Sequence, residues 1–561
     1  MRCSMRRNGM PLRGTLAVVV GAVLIISTAA CGGDAEPGAT ATDAAKGSTF
    51  IFASSADPSI LDPAYHSDGE SSRVTNQIFE TLVTTEKGGT GVAPSLAESW
   101  EVSEDAKTYT FKLHQGVKFH DGEAFNAAAV CANFERWYNF TGLSQSDSVS
   151  YYWVTVFRGF AKNESDTLGK SLYGGCAAKD DNTVELKLTE PSAAVLSALT
   201  LSSFAIASPK ALKDYKADEV GGTAESPLFT GTFGTEHPVG TGPFKFSSWT
   251  RGDKLELVRN DDYWGEKAKL SKIIYRPIEK AADRAQALRA GSVHAFDYAD
   301  PADLESLKSA GVQVIERAPF NMGYLGFSQK TKIMQNQKIR QAIAHAINRE
   351  NVVKTKYGAG AKVANAFMPD SLWSYTEDFA KYDYSVDKAK QLITESGEAN
   401  PTLEFCYPSG VSRAYMVDPA GNFQLMKADL EAAGFKVNPK TSPWSPDYLN
   451  TTQAGDCPLF MLGWNGDFGD PDNFLGTFFQ SFSSQWSFKN EPIFKVLNDA
   501  EQEPDQAKRE ELYKQANALI AEFVPGVPYA QSPSFSAAAK NVQGWEPSPV
   551  LNDVFATISL S

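Results

Sequence analysis

From residue 49 onward, short runs of alternating apolar and polar positions change places with runs of helical spacing. Thr49–Ser54 is an apolar strand candidate, followed by a loop carrying Pro58 and Pro63. Tyr109, Phe111 and Leu113 alternate with polar residues, as do Val184, Leu186 and Leu188; this is the period of half-buried strands. A turn at Asp121-Gly122 precedes a helical stretch over 126–140. The segment 203–242 holds Pro209, Pro227, Pro238 and several glycines, and reads as a long connection returning to another lobe. A further strand follows at 255–258, then a short helix over 282–290 that Gly291 ends.

A second large region starts after Pro319. Ile339, Ala342, Ile343, Ala346 and Ile347 follow helical spacing, with Asn336 placed to cap the first turn. Phe423, Met426, Leu430 and Ala433 repeat that pattern, and Gly434 stops it. Residues 457–462 form a buried strand candidate that runs straight into Gly463-Trp464. Strands and helices alternate here, which predicts an α/β lobe. Short strands return over 524–561 and are expected to pack back on the first lobe. The apolar stripes of these helices are core.

The start of the chain is different. Arg2, Arg6, Arg7 and Arg13 precede a short apolar run over 16–26, then Ser27-Thr28-Ala29-Ala30-Cys31. A positive start, an apolar core of about a dozen residues and a small-residue cleavage site make a secretory signal over 1–30. The run is short beside the roughly 20 residues of a stable membrane span. Cys31 is read as the lipid attachment site of a bacterial lipoprotein, although Thr28 stands where such signals typically carry Leu. Residues 31–48 contain almost no apolar bulk and are expected to be a lipid-anchored flexible tether.

The whole chain has 561 residues, 42% of them hydrophobic and 21% charged, too long for one compact core. Past the signal, 67 acids stand against 49 Lys plus Arg, a balance that argues against a nucleic-acid partner. Four cysteines remain after Cys3 and Cys31: Cys131, Cys176, Cys406 and Cys457. An even number in an exported protein predicts two disulfides. Of the three pairings, Cys131–Cys176 with Cys406–Cys457 is preferred, because each pair lies within one region of the chain. No Cys-x-x-Cys spacing occurs and the histidines are scattered, so no metal and no cofactor are expected.

Five stretches carry a resemblance. They are PSLAESWEVSEDAKTYTFKLHQGVKFHDGEAFNAAAV at 94–130, VGTGPF at 239–244 with RNDDYW at 259–264, QALRAGSVHAFD at 286–297, KIRQAIAHAINRENVV at 338–353, and GWNGDFGDPDNF at 463–474. In type and order they resemble the extracellular solute-binding proteins that serve peptide and nickel ABC importers. The last is especially similar to bacterial dipeptide-binding proteins. The resemblance implies an α/β, two-lobed clamp of the periplasmic-binding-protein type II, with an extra domain inserted in the first lobe. Expected boundaries are 49–81 with 239–319 and 525–561 for lobe 1, 82–238 for the inserted domain, and 320–524 for lobe 2.

In the dipeptide-binding relatives an Asp just after the Gly-Trp strand holds the peptide's amino group; the matching residue is Asp467. An Arg-x-Tyr upstream holds the carboxylate, and Arg413-Ala414-Tyr415 fits it. A Trp 31 residues beyond that Arg lines the relatives' pocket, and Trp444 stands there. A disulfide that the relatives carry shortly after the Asp motif has no counterpart, since no Cys follows Cys457.

A short peptide is a zwitterion at neutral pH. Drying it strips water from an ammonium and a carboxylate, which is unfavourable unless each is paired. Asp467 can accept from the ammonium, and Arg413 can meet the carboxylate with two parallel N–H bonds. Gly463, Trp464 and Asn465 can pair with peptide backbone like an added strand. Trp444, Trp464 and Tyr415 supply flat apolar walls. Asp470 and Asp472 are read as caps of the turn or helix at Pro471. The expected partners are a short peptide, ABC permease subunits, and the membrane through the N-terminal lipid; the protein is expected to be a monomer.

Rival cargoes for the same clamp are a nickel chelate, for which His66 and His345 are the residues to watch, and an oligosaccharide. A peptide-sensing receptor is a further alternative. A hydrolase is not expected, because no Gly-x-Ser-x-Gly elbow or His-Glu-x-x-His motif occurs.

Overall fold

The computed structural model describes residues 48–224 and 226–561. The expected signal, Cys31 and the tether up to residue 47 lie outside the described residues. No described helix is long and apolar enough to cross a membrane.

Two sheets organise the chain. The first has seven strands in the order Phe244–Thr250, Lys254–Arg259, Lys272–Pro277, Thr49–Ser54, Ala295–Phe296, Ser534–Ala538 and Gln313–Arg317. Its central strand, Thr49–Ser54, pairs in parallel with a neighbour on each side. Phe50 and Phe52 on it are fully buried, the mark of a strand covered on one face by core. The second sheet has five strands in the order Lys436–Pro443, Thr402–Ser409, Leu459–Asn465, Asn321–Phe327 and Gly526–Ala530.

The chain crosses between the sheets at 318–320 and 531–533. Boundaries near Pro319 and Pro525 are the expectation for these crossings, and the second needs correcting. Gly526–Ala530 pairs with Asn321–Phe327 in the second sheet, so the return falls about six residues later. Pro525 looked like a break because proline often ends an element, but it only closes the helix Gln506–Phe523 before the strand begins. The two crossings are tied together. Asn321 donates its amide to the Ser532 carbonyl at 2.8 Å, and its oxygen accepts from the Ser532 N–H at 3.3 Å. Two adjacent connections of this kind are what a hinge between lobes requires.

A third sheet lies between the first two segments of the first one in sequence. Its order is Ala97–Val102, Thr108–Leu113, Thr183–Leu188 and Tyr173–Asp180. The alternation read at 109–113 and 184–188 is the buried face of this sheet. The helix Ala127–Tyr138 packs on it, capped by Asn126, whose side chain accepts from the Ala129 N–H. Cys131 and Cys176 form a disulfide that ties this helix to the edge strand. Cys406 and Cys457 form a second one, which ties the strand Thr402–Ser409 to the residues that lead into Leu459–Asn465. Each closes a loop of 45 to 51 residues, worth on the order of 4 kcal/mol against the unfolded chain.

A buried charge network locks the first lobe. Arg73 meets Asp297 at 3.0 Å and Asp553 at 3.2 Å, and Arg317 meets both at 2.7 Å. Ser536 and the Ser548 N–H complete the two carboxylates at 2.8 and 2.6 Å. Arg317 is the last residue of its strand before the crossing. Buried ions hold only when this fully paired. The two guanidinium groups pull the Asp297 carboxyl down to about 2 against the desolvation that burial imposes.

Asp297→Asn leaves two buried guanidiniums sharing one carboxylate and is expected to cost about 3–5 kcal/mol. The group has a depressed folded pKa, so its contribution is complete above pH about 4 and is lost as pH falls toward 2. Thermal unfolding followed against pH checks this. The gap between wild type and variant should be wide at pH 7, begin to narrow below about pH 4 and shrink most as pH approaches about 2; a gap independent of pH would contradict it.

Candidate ligand site at the lobe seam

The strand Leu459–Asn465 builds the site. It lies between Thr402–Ser409 and Asn321–Phe327, but its pairing with the former stops at Cys406–Phe460. Beyond that point Thr402–Ser409 turns away and pairs only with Lys436–Pro443. Tyr448 fills the first gap: its hydroxyl donates to the Met461 carbonyl at 2.6 Å and meets the Met461 N–H at 3.1 Å. Successive residues of a strand turn their backbone groups to opposite sides. Gly463 and Asn465 therefore present theirs on the Met461 side, past the reach of the neighbouring strand. Gly466 faces the other way, and its N–H donates to the Phe320 carbonyl at 2.8 Å.

Tyr415 packs on the sheet face over Gly463 and its paired residue Gly323. A Cβ at position 463 would run into the Tyr415 ring, so only glycine lets the ring settle there. Arg413 sits two residues earlier, exposed, with its guanidinium 5.6 Å from the Trp444 ring. Burial raises the Tyr415 hydroxyl pKa, and Arg413 beside it works in the opposite direction. Trp444 is half-buried and stacks on Tyr448 at 6.0 Å. The structure thus brings Arg413, Tyr415, Trp444 and Gly463 together.

At the other end of the strand is Asp467, half-buried. Its N–H donates to Asn473 Oδ1 at 2.7 Å, and Asn473 Nδ2 approaches Asp467 Oδ2 at 3.4 Å. Trp464, half-buried and edge-on to Phe478 at 5.8 Å, points its indole N–H at the same Asn473 oxygen at 3.5 Å. Asn465 is exposed. The other oxygen of Asp467 accepts from Tyr152 of the inserted domain at 3.0 Å. Desolvation raises the Asp467 carboxyl to about 6, and the Tyr152 and Asn473 hydrogen bonds oppose that rise.

Asp467 therefore lies on the seam between inserted domain and second lobe. The same seam holds Arg158, whose Nη2 donates to Glu501 at 2.6 Å, and the Ala193 N–H, which donates to the Glu501 carbonyl at 2.7 Å. Gly469 abuts the Thr90 backbone so closely that a Cβ would collide with it. The clamp is shut in this structure.

Among the described residues, Asp467 has no cation and Arg413 no acid within ion-pair distance. The nearby acids differ. Asp470 caps the turn Pro471–Asn473 and holds Arg509 with two bonds of 2.9 Å, as the capping reading expects. Asp472 caps nothing. Its carboxyl is buried against Gly476, and burial together with Glu501 and Asp470 pushes it up to about 8.

The histidines are engaged elsewhere. His66 is buried beside Thr75 Oγ1 at 3.1 Å, and His345 meets the Asp383 carbonyl at 2.7 Å. Among the described residues no group of three or more His, Cys, Asp or Glu is arranged to hold a metal. Tyr152, Arg158 and Glu501 are absent from the sequence reading. The only sequence signal near the first two is the aromatic run Tyr151-Tyr152-Trp153, which looks like core.

The model for bacterial extracellular solute-binding proteins, family 5 (middle), matches residues 91–486. The chain is 30% identical to the dipeptide-binding protein of Escherichia coli, spanning all of both chains. It is 30% identical to heme-binding protein A of Haemophilus influenzae, over 98% of this chain and all of that one. Among solved structures, HbpA2 from Haemophilus parasuis superposes with a TM-score of 0.78 at 27% identity, over 91% of this chain and 100% of that one. The periplasmic binding protein DppA from Helicobacter pylori, in complex with the peptide STSA, gives 0.70 at 30% identity, over 92% and 98%. The α/β, two-lobed clamp with an extra domain inserted in the first lobe is the type II periplasmic-binding-protein fold, and the chain belongs to family 5 of the bacterial extracellular solute-binding proteins.

Proposed function

We propose that this protein is the substrate-binding lipoprotein of an ABC importer and captures short peptides between its lobes for delivery to a membrane permease. One observation carries the reading. An acid without a cation and a cation without an acid flank one open strand edge, Asp467 beyond its end and Arg413 beside its middle. That is the complement of a zwitterion with a backbone between its charges. From Gly463 to Asn465 the edge covers about 7 Å, the length of two extended residues. The names of the E. coli and H. pylori relatives support the peptide class.

In this reading the amino end meets Asp467, the carboxylate meets Arg413, and the peptide backbone bonds to Gly463 and Asn465. Tyr415, Trp444 and Trp464 are the walls that tolerate varied side chains. Ligand favours the shut clamp, whose surface differs from that of the open form and signals occupancy to the permease. The protein works as a monomer and has no catalytic step. Cys31 carries the lipid that keeps it at the outer face of the membrane. Cys31→Ala is expected to release the protein from the membrane fraction without changing its ligand affinity, as fractionation and calorimetry would show.

Asp467→Asn should weaken dipeptide binding by at least about 30-fold, the range for a buried charge-assisted pair, with little change in unfolding temperature. Arg413→Ala should weaken free-acid dipeptides more than their C-terminal amides. Isothermal titration reads both. Equal loss for acid and amide would remove Arg413 from the carboxylate site. Heme is the cargo named for one relative of similar identity; titration with hemin beside the dipeptide panel separates the two.

The ammonium requires Asp467 ionised. With the carboxyl at about 6 in the empty shut clamp, the affinity of that form should be full above pH 7 and fall about tenfold by pH 5. A flat profile over that range would place the amine elsewhere.

A further inference from the structure

We propose that the protein carries a second small-molecule site, a cavity in the seam between the inserted domain and the second lobe, and that this site takes a small organic cation with a flat apolar body. It lies apart from the strand edge described above and does not depend on which cargo that edge takes.

The cavity has a volume of about 420 Å³, within the range of small-molecule pockets. Both bodies build it. Val92, Trp100 and Leu196 come from the inserted domain, Trp373 and Arg509 from the second lobe. Trp100 and Val102, a further wall residue, fall on one face of the strand Ala97–Val102. Val102 is 38% exposed and both indoles are half-buried, so apolar surface in this chamber is left without a partner. Trp373 is held by Tyr513, which packs edge-on to it at 5.9 Å and 79°. From the segment after the site strand the wall takes Gly469 and Asp470 but not Asp467. Phe468 stands between them in the chain and is buried in the core of the inserted domain.

Three charged residues line the chamber, and their sum is negative. Arg509 is spent on Asp470 through two bonds of 2.9 Å and leaves no net charge. Glu86 remains. Its side chain folds over Gly91, where a Cβ would strike the carboxyl. Among the described residues no cation lies within ion-pair distance of it, the neighbouring Lys87 being paired with Glu546 at 3.2 Å. Indole faces and an unpaired carboxylate around an apolar space are the chemistry that recognises an organic cation. An anion would meet Glu86 and the negative faces of the rings, and a neutral guest would leave the acid unused.

Because the walls belong to different bodies, the chamber is complete only when the clamp is shut. A guest there favours the shut form. By reciprocity it tightens whatever the strand edge binds.

The test is calorimetric titration of the full chain with tryptamine, indole and indole-3-acetate at neutral pH. Tryptamine is expected to bind with a single equivalent per chain, about tenfold tighter than indole, and indole-3-acetate to bind more weakly than either. Ala193→Leu puts a larger side chain on the chamber wall. It and Trp373→Ala should each weaken tryptamine by about tenfold or more, with the unfolding transition retained. Glu86→Gln should weaken tryptamine about threefold and leave indole as it was. Asp467→Asn should leave tryptamine binding unchanged, and alanylphenylalanine should bind severalfold tighter with tryptamine present. No binding of tryptamine to the wild type, binding that both chamber variants leave intact, or competition with the dipeptide that Asp467→Asn removes would overturn the site. Indole or indole-3-acetate binding as tightly as tryptamine would overturn the cation, and an unchanged dipeptide affinity would overturn the link to closure. A wild type that binds tryptamine in this pattern but no dipeptide upholds the site and sinks the peptide reading.

Discussion

A carboxylate held half-dry without a counter-charge is the constraint on which the rest of this structure turns. Taking Asp467 out of water costs more than its two neutral hydrogen bonds return, and its raised pKa measures that deficit. A fold does not keep such a group for stability. In the proposed reading a cation brought by the ligand removes the deficit. The strand Leu459–Asn465 carries the acid to the seam, and the diverging neighbour leaves a backbone edge open beside it. The inserted domain covers it from the far side through Tyr152.

The first lobe treats charge in the opposite way. Arg73, Arg317, Asp297 and Asp553 are all buried, yet each acid meets two guanidiniums. A network closed on itself makes a stiff body. Its last member before the hinge, Arg317, ends the strand that leads into the first crossing. With rigid sheets on either side, rotation has to concentrate in the two short connections at 318–320 and 531–533. One of these bonds to Asn321, whose backbone lies opposite Asn465 in the site strand. Hinge and ligand edge are therefore neighbours, and closure can be sensed where binding occurs.

The seam explains how the protein can shut without being welded shut. Arg158 is partly exposed and its partner Glu501 buried, a pairing worth far less than the closed network of the first lobe. Gly469 allows the Thr90 backbone to approach the segment that follows Asp467. Contacts of this kind are numerous enough to define a closed position and weak enough for ligand to decide whether it is occupied.

Local chemistry made much of this legible in the chain. Period-two alternation marked Thr108–Leu113 and Thr183–Leu188. Asn126 and Asn336 marked helix starts, and the grouping of cysteines within regions pointed to the pairs that the structure joins. Asp467 after the Gly-Trp strand stood out through the resemblance to dipeptide-binding proteins, not through local chemistry. Proline misled at 525, since a residue that breaks helices says nothing about which sheet the next strand joins.

By itself, then, the sequence determined the elements, the family and the two oppositely charged residues that suit a zwitterion. Only the tertiary structure decided that Tyr152 meets Asp467 across 315 residues of chain, that Arg158 reaches Glu501, and that Asp472 is buried without a capping role. The reason is physical. Periodicity, capping and turn chemistry act within a few residues, whereas the drying of a carboxylate depends on which surface of a distant domain comes to lie over it.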